Sequence, residues 1–412
     1  MKRSRLPMLA VLPVVVLSTV VASSAAGSQF LHWKDGSLLP SLGADENASA
    51  RLTASAGEDG GRAPAAPSPP TGAAPRGVHV EKPWKPGMPE WGVQIYWEDS
   101  ARNTDAEVRR RARQKAEYII GLHGNSVSLS FPFYTKGKAS NEVFAGPNTP
   151  TPAHLAIVLR VFHDAGLRVT MRPLLDEKAL KPPKDGWRGN IEPAGRSAWF
   201  AAYTKLLQPY AALAELHQVA SFVIGAELNS LESDPGWNGL VAALRKDYRG
   251  ELTYDANWDN FVSGPVKVPA TSIGLDAYFP VKVPDSASVA TLVDGWNKWL
   301  DKKSTGPMPE VVLAEAGIGA MDGAYQAPGD FYNKRAVNEN VQANWYRAVC
   351  KVVVDRTMEG VYWWSLNFDD DPYAAPGEGI SRLNFAGRPK TEKAIRDCFG
   401  SAYAGPGTAR QH

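Results

Sequence analysis

A (β/α)8 barrel, the TIM-barrel form of the α/β class, is the fold that this sequence predicts, as a single domain behind a flexible N-terminal linker. Three observations predict it. Eight short apolar runs of strand-like composition alternate with segments of helical periodicity over roughly 310 residues, and such a barrel usually takes about 250 or more. No Gly-rich phosphate loop follows an early strand, which weighs against the alternative, an open doubly wound sheet. Gly186 and Gly189 have neither the spacing nor the position for one. Finally, two apolar runs end in a glutamate where strand gives way to loop: Phe222-Val-Ile-Gly-Ala-Glu227 and Val311-Val-Leu-Ala-Glu315.

The elements follow in order. Val93–Trp97 is the first strand. Thr104-Asp-Ala-Glu107 is a capping-box pattern that opens a helix running to Leu122, with Gly121 and Gly124 at its end. Ser126–Phe131 is the second strand, Pro152–Ala165 a helix closed by Gly166, and Leu167–Pro173 the third strand. A loop carries Trp187-Arg-Gly-Asn-Ile191. A long helix from Ser197 to Leu216 places Trp199, Tyr203, Leu206, Leu207 and Tyr210 at helical spacing. The fourth strand lies in Ser221–Ser230 and ends at Glu227, Trp237–Tyr248 is a helix and Glu251–Asp255 the fifth strand. No good helix is legible in Phe261–Ala270, the weakest link of the alternation. Ser272–Tyr278 is the sixth strand, Val289–Leu300 a helix, Glu310–Ala314 the seventh strand, Asn338–Arg356 a helix and Gly360–Trp364 the eighth strand. Thr391–Cys398 is a last helix.

Of 412 residues, 44% are hydrophobic and 21% charged, ample for one large core. A net charge of +2 implies no nucleic-acid partner. The N-terminus has the form of an export signal, residues 1–27. Lys2, Arg3 and Arg5 precede an apolar run from Leu6 to Val21, and small residues near Ala26 offer a cleavage region. An uncleaved signal anchor is the alternative, since the run approaches spanning length. No cysteine lies there to carry a lipid. Residues 28–88 include a Pro/Ala-rich stretch, Gly61–Pro75, expected to be an extended linker that spaces residues 89–402 from a membrane or cell wall. Residues 403–412 are expected to be a flexible tail. Cys350 and Cys398 are the two cysteines; in an exported chain they could form a disulfide, the alternative being two buried thiols. A monomer is expected.

In a barrel the C-terminal ends of the strands converge on the active face, so Glu227 and Glu315 would look across one mouth. A glutamate left unpaired in an apolar site costs several kcal/mol. One glutamate after a strand is often a helix cap or an ion-pair partner. Two, at the fourth and seventh strands, suit hydrolysis of a glycosidic bond. That reaction needs one carboxyl to protonate the leaving oxygen and one carboxylate as nucleophile or base, about 5–5.5 Å apart for retention and roughly 6.5–9.5 Å for inversion. Their surroundings must push the two pKa values apart.

The chain resembles the clan of (β/α)8 retaining glycoside hydrolases, and within it glycoside hydrolase family 113, the β-mannanases. The resemblance covers about residues 90 to 400 and rests on Trp187-Arg-Gly-Asn-Ile191, Trp199-Phe200 with Tyr203, Tyr210–Glu215, Phe222–Leu228, Ile273-Gly-Leu-Asp-Ala-Tyr-Phe-Pro280, Ala314-Glu-Ala-Gly317 and Gly360–Trp364. It implies that Glu227 is the acid/base, Glu315 the nucleophile, and Tyr278 the residue that orients the nucleophile. Trp364 would be the floor under the sugar beside the cut. The implied substrate is a β-linked polysaccharide or oligosaccharide such as β-1,4-mannan, with no cofactor. The chain departs from the pattern at Ala226, where most of the wider clan has an asparagine, and at Arg172, where a lysine is expected. A planar guanidinium would grip sugar hydroxyls differently.

Other residues carry weaker signals. Trp97 could touch sugar and Glu98 reads as a rim charge; Asn257 or Trp258 would line the cleft. Asp276 reads as a hydrogen-bonding hub. Asp369-Asp-Asp371 lacks the spacing of a cation loop. His123, His154, His163 and His217 lack metal-ligand spacing, and no metal is expected. Two other readings stay open: hydrolysis of another β-glycan, such as a cell-envelope polymer, and a catalytically silent glycan-binding barrel.

Overall fold

The structure, a computed structural model, describes residues 78–181, 186–331, 335–376 and 384–407. The expected signal segment, most of the expected linker and residues 408–412 of the expected tail lie outside them. Eight of the strands close into a parallel barrel: Glu90–Tyr96 (β1), Ser126–Thr135 (β2), Arg168–Leu175 (β4), Ser221–Ala226 (β5), Glu251–Asn257 (β6), Ser272–Asp276 (β7), Val312–Ala316 (β8) and Gly360–Asn367 (β9). Each pairs in parallel with its neighbours, and β1 closes the ring by pairing with both β2 and β9. A two-residue strand, Val143–Phe144 (β3), pairs antiparallel with the end of β2.

Side chains along a strand alternate between faces, and here the alternation separates two kinds of residue. On β1, Trp91, Val93 and Ile95 lie in the main apolar core, while Gln94 points inward and bonds Ser130 at 2.9 Å and the Ala314 carbonyl at 2.8 Å. On β4, Val169 and Met171 belong to the outer core; Arg168 and Arg172 turn into the barrel. On β6, Leu252, Tyr254 and Ala256 face outward, and Asp255 faces in. The outer layer is thus apolar, and the barrel interior is rich in hydrogen-bonded polar groups. Gly274 on β7 serves that interior, since a Cβ there would sit 2.4 Å from Asp255 Oδ1.

The helices form the outer ring: Asp105–Gly121 (α1), Pro152–Asp164 (α2), Arg196–Leu216 (α3), Gly236–Leu244 (α4), Trp258–Ser263 (α5), Val289–Leu300 (α6), Glu339–Asp355 (α7) and Pro389–Phe399 (α8). The capping box at Thr104 and Glu107 forms in full. The segment after β6 holds the short helix α5, which sequence periodicity did not reveal; six residues are too few to show a 3.6-residue period. Cys350 on α7 and Cys398 on α8 are joined in a disulfide, with Cα atoms 5.8 Å apart. None of the helices among the described residues is long and apolar enough to cross a membrane.

Residues 78–88, assigned to the linker by composition, lie against the barrel. The Val80 amide donates to the Ala165 carbonyl at 2.9 Å, and the Trp84 ring lies 4.7 Å from the guanidinium of Arg168. The expected tail also begins on the fold: Tyr403 donates to the Met358 carbonyl at 2.6 Å and Gly407 to that of Gly87 at 3.1 Å. Bulky Trp84 and Tyr403 have apolar or cationic faces to cover at these places, which a Pro/Ala count does not register.

Candidate active site

Glu315 sits on β8, whose register sets it beside Asp276 of β7. It is buried, and both oxygens have a partner. Tyr278 donates its hydroxyl to Oε2 at 2.6 Å, and Arg172 Nη1 lies 2.6 Å from Oε1. Two donors on different oxygens fix the plane of the carboxylate. Arg172 itself is fully buried. Its Nε meets Asp255 Oδ2 at 2.6 Å and its Nη2 meets Asp276 Oδ2 at 2.8 Å. Burial, opposed by Arg172, pushes Asp255 up; burial and the charge of Glu315 push Asp276 well above the usual carboxylate range.

Glu227 follows directly on β5. Its amide donates to the Asp255 carbonyl at 2.8 Å, and its backbone takes φ +53, a left-handed conformation unusual for a residue with a side chain. Its carboxyl is buried. Oε2 lies 3.8 Å from Arg188 Nη1, a charge contact too long for a hydrogen bond, and Oε1 has no partner among the described residues. Arg188 is in turn held by Glu177, whose Oε1 accepts from Nε at 3.1 Å and from the amide at 3.3 Å. Burial dominates the titration of Glu227, and the charge of Glu315 adds to it against the pull of Arg188; together they push the carboxyl up to about 8.

Around these groups lies a second apolar cluster, distinct from the main core. It contains Leu174, Trp187, Ala226, Tyr278, Phe331 and Trp364, with Tyr96 and Trp258 packed on it. The Tyr96 and Trp364 rings are 6.1 Å apart. The indole N–H groups of Trp258 and Trp364 are buried with no partner among the described residues, so both remain able to donate to a ligand.

The structure therefore brings together Glu227, Glu315, Tyr278, Trp364 and Trp258 at one barrel mouth. Of three other residues expected to bind substrate, Trp97 lies outside the mouth, and Asn257 and Arg172 have side chains committed to protein partners. Trp97 is buried in the main core, with Phe368 at 4.4 Å; it shares the outward parity of Trp91, Val93 and Ile95, and its neighbour Tyr96 faces the mouth. Asn257 is buried as the cap of α5, accepting from the Trp258 amide at 3.0 Å and donating to Asp259 at 2.8 Å. Arg172, expected to grip sugar hydroxyls, spends its guanidinium on three carboxylates inside the barrel. Sequence reasoning passed over Asp255, Arg188, Glu177 and Tyr96. Parity could have found Asp255 and Tyr96, because polar or inward-facing residues alternate with apolar ones on β6 and β1. Asp276, read as a hydrogen-bonding hub, has one side-chain contact here: its Oδ2 meets Arg172, and its Oδ1 is buried with no partner among the described residues. No group of histidines, cysteines and carboxylates suited to hold a metal is present among the described residues.

This geometry can be set beside known proteins. The family model described as Glycoside Hydrolase Family 113 matches residues 94–376. A solved GH113 β-1,4-mannanase superposes with a TM-score of 0.63 at 20% identity, over 77% of this chain and 100% of its own. The GH113 β-mannanase AaManA from Alicyclobacillus acidocaldarius, in complex with ManMIm, superposes at 0.62 with 21% identity, over 76% and 97%. At such identities the likeness speaks for the fold. No curated protein sequence matches the chain.

Proposed function

The chain belongs to glycoside hydrolase family 113, and on that footing we propose that it is a retaining β-mannanase working by double displacement between Glu315 and Glu227. The observation that carries the reading is the contrast between the two carboxyl groups. Glu315 has a donor on each oxygen. Glu227 has one free oxygen and a pKa pushed up to about 8, so it is protonated at neutral pH and able to give a proton.

In the first step Glu315 attacks the anomeric carbon and the glycosidic C–O bond breaks. Its electron pair goes to the leaving oxygen, which takes the proton of Glu227. A glycosyl ester on Glu315 results. In the second step Glu227, now a carboxylate, takes a proton from water as the water oxygen bonds to the anomeric carbon, and Glu315 is released. Trp364 offers a flat face for the sugar beside the cut, and the indole N–H groups of Trp364 and Trp258 can donate to hydroxyls.

The β-mannanase neighbours support β-1,4-mannan as the substrate. The basic N-terminal run and the linker composition support an exported protein, secreted or tethered by an uncleaved signal. The test is reducing-sugar release from mannan, glucan, xylan and amino-sugar polymers, with Glu315→Ala as control. Release from mannan that the substitution abolishes is the expected result. Release from another polymer alone would keep the mechanism and discard mannan. Binding without any release would mark a silent barrel.

A further inference from the structure

Arg172 does more in this fold than neutralise charge. Four strands meet at its guanidinium: β4 supplies it, and β6, β7 and β8 supply Asp255, Asp276 and Glu315. Each of its three nitrogens is held by a different carboxylate at 2.6–2.8 Å, and the side chain is 0% exposed. Such a fork cannot turn without breaking two ion pairs in a dry site, so the position of Nη1 is fixed by Asp255 and Asp276.

The two oxygens of Glu315 consequently differ. Oε1 is bound to Nη1 inside the barrel, and Oε2 meets Tyr278, which belongs to the aromatic cluster of the mouth. We propose that Arg172 is a positioning residue for the nucleophile: it ties down Oε1 and assigns the attack to Oε2. This rests on the retaining reading above. The lone pair of Oε2 forms the bond to the anomeric carbon, the glycosidic bond breaks, and its electron pair leaves on the oxygen that Glu227 protonates. Oε1 becomes the ester carbonyl and still accepts from Nη1. On hydrolysis the ester electron pair returns to Oε2. The same geometry favours ester formation. One guanidinium faces three carboxyl groups, and esterification removes one negative charge from that crowd.

The experiment compares wild type with Arg172→Lys and Arg172→Met, using an activated fluoro-mannobioside that traps the glycosyl ester, with intact mass and peptide mapping as readout. Melting temperature and KM for a mannan oligosaccharide are measured alongside. Arg172→Lys is expected to lower the rate of labelling of Glu315 and kcat by about a hundredfold, with KM within about twofold of wild type, because the guanidinium is fully buried and held by three carboxylates. Arg172→Met should lose more, so that lysine counts as a partial rescue. Asp255→Asn, which frees one arm of the fork, should slow labelling by about tenfold. Labelling of Arg172→Lys at the wild-type rate, or a raised KM with kcat retained, overturns the assignment while leaving the retaining mechanism intact. A folded wild type that takes no label and releases no sugar overturns both.

Discussion

Glu227 combines three unfavourable features at one position. Its backbone is held at φ +53, its Oε1 has no partner among the described residues, and burial drives its pKa from about 4.5 up to about 8. The sign of the consequence for stability follows from linkage. A carboxyl whose folded pKa is raised contributes stability that is complete below its unfolded value near 4.5 and is lost as the pH rises through about 8. Glu227→Gln, permanently neutral and of the same shape, should therefore melt a few degrees above wild type at about pH 9 and converge with it at about pH 5. The basic limb of wild-type kcat/KM should fall near pH 8, where the acid loses its proton. A thermal shift series and a pH–rate profile check both; equal melting at high pH, or a limb near 5, would contradict this account. At this scale the sequence showed the two glutamates, because a carboxyl at the end of an apolar run is conspicuous, and the family resemblance added Tyr278. It did not show Arg188, which approaches Glu227 from a loop far from β5 in the chain, or Glu177, which holds Arg188 there.

Among the elements, strand parity decides what a residue can do. Tyr96 and Trp97 are adjacent and both aromatic, yet one packs at the mouth and the other in the outer core. Placing Trp97 in the cleft ignored the pattern Trp91, Val93, Ile95 that it continues. Asn257 has the inward parity of Asp255, and its side chain is engaged locally, because a helix begins one residue later and takes it as cap. The last two helices are joined covalently. The disulfide between α7 and α8 closes a span of 48 residues, worth about 4 kcal/mol by chain entropy. Replacing both Cys350 and Cys398 by serine should lower the melting temperature by roughly 5 °C and leave kcat at 25 °C unaltered, because both helices lie outside the barrel. Calorimetry and an activity assay on the same preparation would decide it, and an unchanged melting temperature would refute the entropic estimate.

For the whole molecule, the barrel has two different ends. The C-terminal mouth gathers the carboxyls and aromatics. The opposite end is closed by an inward ion-pair group, with Arg168 3.1 Å from Glu90 and 2.9 Å from Glu251, and by Trp84 stacked over that arginine. A cation–π contact of this kind contributes about 0.5–2 kcal/mol. Trp84→Ala should lower the melting temperature by a few degrees and leave kcat and KM as they are, since the contact lies on the stability face of the barrel. A change in kcat would mean that the two ends are coupled.

The sequence by itself determined the fold class, the order of the elements, and the strand ends that bear the two glutamates. These depend on local quantities: hydrophobic periodicity, caps, and apolar runs that terminate in charge. Only the tertiary structure decided which way each side chain faces and what it meets. Closure of the ring sets β4 against β5, and brings β6, β7 and β8 around Arg172, so a residue read as a sugar ligand becomes an internal clamp on Glu315. The physical reason is that a guanidinium is committed by its nearest carboxylates. Here those carboxylates lie between 83 and 143 residues away along the chain, beyond the reach of any local pattern.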